Sequence, residues 1–159
     1  GFYDLAGAIG SDLQASARHL CERSGAGLCA AGWNISQSTE KALKLLIKRK
    51  GQTPPHIHDL QALAARAEQL GASPIDRSKL AAIPSNRAAT SMRYGGDFPL
   101  SKAKAAYEAA LPIIRELLFE AKPSMDYDIR EARLELEQPP WFAFDTEGFR
   151  TQLRSADKD

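Results

Sequence analysis

The stretch LCAAGWNISQSTEKALKLLIKRK, Leu28 to Lys50, decides the fold. Leu28, Ala31, Ile35, Ala42, Leu45 and Leu46 recur at helical spacing, with Ser38 and Thr39 in the gap. That pattern predicts an amphipathic helix with one face for a core. Gln37, Glu40, Lys41, Lys44 and Lys48 fall on a second face, expected to meet solvent or a ligand. Small residues (Ala30, Ala31, Gly32, Ser36, Ser38) fill the first half, so a neighbouring helix can approach closely. The Lys48-Arg49-Lys50 cluster lies where helix carbonyls lack partners, which favours cations. Gly51 stops the helix, and Pro54-Pro55 forbid its continuation.

Upstream, Phe2, Leu5, Ile9, Leu13, Ala17 and Leu20 predict a first helix over 2–24. The turn Ser24-Gly25-Ala26-Gly27 makes it an antiparallel hairpin with the second. Downstream, Asp59 starts a helix that Gly71 ends, and Asp76 caps the next segment. Pro84 breaks that segment. Gly95-Gly96-Asp97-Phe98-Pro99 reads as a loop, and residues 100–122 read as a core helix with Pro112 inside it. No strand pattern and no internal repeat is evident. The expected architecture is all-α: an up-and-down antiparallel helical bundle of four to five helices over 1–123. A C-terminal extension, 124–159, follows. It contains a charged helix at 125–137 and an aromatic cluster of Trp141, Phe142, Phe144 and Phe149. Asp145 or Thr146 would cap a short final helix, and the cluster is expected to dock on the core or across a dimer.

With 159 residues, 26% charged and 43% hydrophobic, the balance is that of an ordinary globular chain. A formal net charge of +1 excludes a general basic coat for nucleic acid, though not a local patch. Cys21 and Cys29 lie beside apolar stripes and are expected to be buried thiols in a reducing compartment. No run of apolar residues is long enough to span a membrane, and the start does not read as a secretory leader. The cytoplasm is the expected location.

No cofactor is expected. No strand precedes Gly95-Gly96, so that pair is no phosphate-binding loop. No metal is expected either, because His56 and His58 lack a third ligand at suitable spacing. The suggestive set is dispersed: Lys41 and Lys44 on the second helix, with Arg87, Arg93 and Tyr94. Should the 87–98 segment fold over the second helix, they would form a cationic patch with an aromatic beside it. Such a patch suits a nucleotide phosphate and base. The competing reading is a surface ion network that includes Glu40 and Asp59.

In their order, DLQASARHL at 12–20, AGWNISQSTEKALKLLI at 31–47, GQTPPHIHDLQAL at 51–63, Arg93-Tyr94, and KAKAAYEAALPII at 102–114 resemble the HEPN family (higher eukaryotes and prokaryotes nucleotide-binding). The resemblance covers about residues 3–122. It implies a dimeric helical bundle. It also implies either a metal-independent RNase, often a toxin, or a non-catalytic binder of nucleotide or RNA. Many members are paired with a small nucleotidyltransferase that acts as antitoxin. The RNase branch uses an Arg followed, some four to six residues on, by a His near the start of the last core helix. Here no His follows His58, so Arg87 and Arg93 lack that partner. Arg49 and His56 have the spacing, but in the loop after the second helix. The expectation is therefore a non-catalytic homodimeric module binding a nucleotide or RNA phosphate through Lys41, Lys44, Arg87, Arg93 and Tyr94. The alternatives are an RNase toxin with a displaced site drawn from Arg49, His56 and His58, and a helical dimer that binds another protein.

Overall fold

A computed structural model describes residues 1–122, and within them every regular element is a helix. The expected helix at 125–137, the aromatic cluster from Trp141 to Phe149 and the final cap lie outside the described residues. The elements are α1 (Phe2–Glu22), α2 (Gly25–Arg49), α3 (Leu60–Gln69), α4 (Arg77–Ala81), α5 (Asn86–Arg93) and α6 (Leu100–Ala121). Five of these have eight residues or more, and α4 is little over one turn. Among the described residues no helix is long and apolar enough to cross a membrane.

Three long helices make the frame, each through a stripe of apolar residues at helical spacing. Phe2, Ala6, Ile9, Leu13, Ala17 and Leu20 bury one side of α1. The stripe read in α2 is buried throughout, with Leu43 and Ile47 added. Ala103, Tyr107, Ala110, Ile114, Leu117 and Leu118 bury one side of α6. α2 sits at the centre and packs on α1, α6, α5 and α3. Two of its buried hydroxyls are satisfied within the helix: Ser38 donates to the Asn34 carbonyl at 2.7 Å and Thr39 to that of Ile35 at 2.9 Å.

α2 begins at Gly25, three residues before the expected Leu28. The Ser24 hydroxyl accepts the Gly27 N–H at 3.0 Å, so the small residues that read as a turn form the first helical turn. Only Arg23 and Ser24 then join α1 to α2, which makes the pair antiparallel. α6 runs in the same direction as α2. Phe98, just before α6, lies against Gly32 near the start of α2, and Glu120 near its end pairs with Lys50 at 2.7 Å. After α3 the chain is again beside the end of α2, where Lys50 donates to the Gly71 carbonyl at 3.1 Å, so the return to the start of α2 is made by residues 72–98, which bring Met92 and Phe98 to Gly32. Two side chains differ from expectation. Cys21 is exposed, since it falls one position beyond the buried Leu20, whereas Cys29 is buried. Glu40 is 6% exposed instead of lying on a solvated face.

Candidate functional site: two cavities at the ends of α5

Glu40 departs furthest from a simple polar face. A buried carboxylate needs partners, and α2 and the loop before α3 supply them. Lys44, one turn on, donates from Nζ to Oε1 at 2.7 Å. His58 Nδ1 lies 2.9 and 3.1 Å from the two carboxylate oxygens. An ionised carboxylate only accepts hydrogen bonds, so Nδ1 carries the proton and Nε2 is left for another partner. Asp59 follows at once and caps α3, its Oδ1 accepting the Gln61 and Ala62 N–H groups. The imidazole is thus set by α2 on one side and by the start of α3 on the other.

His58 lines a cavity of about 820 Å³ between the start of α3 and the α4–α5 connection. Leu80 and Ile83 give it apolar walls, and Ser85, Asn86 and Arg87 bring the first turn of α5 to it. Pro84 ends the preceding segment, and Ser85 restarts a helix by accepting the Ala88 N–H. That cap carries no charge, so it leaves the positive end of α5 uncancelled. The Arg87 guanidinium holds no hydrogen bond or ion pair to another described residue. The α4 wall is tied from below. Glu68 accepts the Ile75 N–H at 2.8 Å and pairs with Arg77 at 2.6 Å, while Arg77 also donates to the Gln61 carbonyl. The Ile75 N–H, with Arg77 beside it, holds the Glu68 carboxyl below the usual carboxylate range.

A second cavity of about 520 Å³ lies at the other end of α5. Trp33, Cys29 and Met92 line it, together with Gly25 and Ala26 of the first turn of α2 and the loop residues Gly95 and Gly96. The Arg93 guanidinium lies over the Trp33 ring, 5.1 Å from its centroid. Cys29 donates from Sγ to the Gly96 carbonyl at 2.7 Å, which pins the loop to α2. Gly32 makes the close approach possible: a Cβ there would sit 2.6 Å from Met92 Sδ and 2.8 Å from the Phe98 ring.

The expected binding residues are therefore distributed. Lys41 pairs with Asp12 at 2.6 Å and Lys44 with Glu40, so carboxylates already occupy both ammonium groups. Arg87 belongs to the first cavity and Arg93 to the second. Tyr94, 81% exposed, lines neither. Arg49 and His56 are exposed, with no hydrogen bond or ion pair to each other among the described residues. Sequence reasoning missed Trp33, and it missed Glu40 as a partner of His58. The signal for Trp33 was a large aromatic among small residues, close in space to an Arg that no helical spacing connects to it. Among the described residues no group of three or more His, Cys, Asp or Glu is placed to hold a metal ion.

Compared with known families, residues 11–122, most of the chain, match the model of the HEPN domain. No curated protein and no solved structure matches the chain.

Proposed function

The chain belongs to the HEPN domain family, and from that premise we propose that it binds a nucleotide or RNA phosphate in the cavity between His58 and Arg87. The observation that carries this reading is the pairing of two groups on one cavity. Arg87 is a fixed cation with an uncommitted fork of donors, and His58 is an imidazole aimed by a buried carboxylate. Protonated, His58 donates from Nε2 to a phosphate oxygen, and Glu40 balances its charge. The guanidinium can take two oxygens of the same phosphate, and the neutral cap of α5 adds its helix end. Asp59 lies on the same cavity, but its Oδ1 is committed to the amides of α3. The proposed unit is residues 1–123, with 124–159 as an extension. It works in the cytoplasm as a homodimer, paired with a small nucleotidyltransferase.

The same geometry favours one second reading, a metal-independent endoribonuclease. Neutral His58 would take the ribose 2′-hydroxyl proton at Nε2 while the 2′-oxygen attacks phosphorus. The 5′-oxygen would leave and gain a proton from solvent, giving a cyclic phosphate. This assigns His58, not Arg49 or His56, as the acid/base group.

Two assays test these readings. A bound nucleotide at 100 times its dissociation constant should stabilise the fold by about 2.7 kcal/mol in thermal denaturation. Arg87→Ala should abolish that shift, and a shift that survives the substitution would refute the assignment. Incubation with mixed RNA in EDTA separates binder from nuclease. Cleavage lost in His58→Ala and kept in His56→Ala would establish the second reading, and intact RNA would exclude it.

A further inference from the structure

The second cavity carries chemistry that phosphate binding does not use. Trp33 is half-buried and Arg93 is exposed, and the guanidinium carbon stands over the indole ring. The Arg93 N–H groups hold no hydrogen bond or ion pair to another described residue. No acidic side chain lines this cavity, and the first turn of α2 contains none. Apart from Asn34 its other lining residues are small or apolar, and the fit is close: Cys29 holds Gly96, and Met92 and Phe98 fill the space above Gly32. A guanidinium over an indole, beside a largely apolar recess, offers planar groups on which an unpaired base can stack. α5 links the two cavities. Arg87 is in its first turn and Arg93 in its last, so they lie about 9 Å apart along the axis. No acidic residue stands between them in NRAATSMR.

We infer that the Trp33–Arg93 cavity is a base subsite, and that the ligand is single-stranded RNA that lies along α5, with a phosphate at Arg87 and a base at Arg93. The inference rests on the phosphate reading above and adds a strand class and a direction of reading. A mononucleotide would fill one subsite at a time. A strand fills both, and a duplex keeps its bases stacked and offers none to Arg93.

The test uses the full chain and two fluorescent probes of equal length: a six-nucleotide single-stranded RNA and the same ribose-phosphate chain without bases. The intact protein should bind the RNA more tightly than the abasic chain. Trp33→Ala and Arg93→Lys should each weaken RNA binding about tenfold and leave abasic binding unchanged. Arg93→Lys keeps the charge at an exposed position, so it carries the test if Trp33→Ala unfolds. Equal affinity for the two probes, or RNA affinity unchanged in Arg93→Lys, overturns the base subsite. If Arg87→Ala still weakens both probes in that case, the phosphate reading survives alone. If the intact protein binds neither probe, both fall.

Discussion

The frame of α1, α2 and α6 and the segment 51–99 are built by different means. The three long helices, of 21, 25 and 22 residues, each bury a continuous apolar stripe. The segment between α2 and α6 holds helices of only 10, 5 and 8 residues, lengths that are marginal alone. Each begins with a side-chain cap, from Asp59, Asp76 and Ser85 respectively. Glu68, Arg77 and the Glu40–His58 pair tie the segment to itself and to α2. Stability therefore resides mostly in the stripes, while cavity geometry depends on caps and polar ties. Substitutions should separate the two.

Leu46→Ala should have the largest effect. Leu46 is fully buried in the last turn of α2, the central helix, and its truncation should cost about 2–5 kcal/mol by chemical denaturation. A cost below about 1 kcal/mol would place the central contacts elsewhere. Gly32→Ala comes next, at about 1–3 kcal/mol, because the added Cβ meets Met92 and Phe98. It should also loosen the second cavity, so α5 amides should exchange faster with solvent while those of α1 do not. An unchanged α5 would mean that Met92 simply turns aside.

Lys44→Ala should cost about 1–2 kcal/mol, more than a surface lysine would, because it removes a partner from buried Glu40. Glu40→Gln together with Lys44→Ala should recover part of that loss, and no recovery would show that the ion pair is not the cause. Glu120→Gln should be the smallest, under about 1 kcal/mol at neutral pH. Burial pushes the Glu120 carboxyl up, but the Lys50 ammonium and the Ser73 N–H outweigh it and leave it below the usual range. A depressed carboxyl contributes stability above its unfolded pKa and loses it as pH falls through the folded value. The difference between Glu120→Gln and the unmutated chain should therefore be constant above about pH 5 and vanish in more acidic solution. A difference that grows in acid would contradict this sign.

How much could be read beforehand follows the same division. The stripes in α1, α2 and α6 were legible because burial along a helix repeats with a fixed period. The caps Asp59 and Asp76 were legible because they are local. Glu40 was misplaced because its burial depends on a loop 18 residues away that folds back over α2, and no helical periodicity encodes that return. The five residues expected to share one patch span α2 and α5. Their sequence could not show that Asp12 takes Lys41, or that α5 is short enough to place Arg87 and Arg93 at opposite ends. Trp33 was invisible for the same reason, since its partner Arg93 comes from another element. The HEPN resemblance, by contrast, rests on residues in linear order, and the match over 11–122 agrees with it.

The central claim is that Arg87 holds a phosphate, and the salt dependence of RNA binding tests it most directly. Affinity of the full chain for a short single-stranded RNA would be measured over a range of salt concentrations, with and without Arg87→Ala. Arg87 sits exposed at a helix end, so its loss should change folding stability by less than about 0.5 kcal/mol. The account predicts weaker binding and a slope of log affinity against log salt that is shallower by about one for the variant. An identical slope and affinity, in a variant that melts like the unmutated protein, would contradict it.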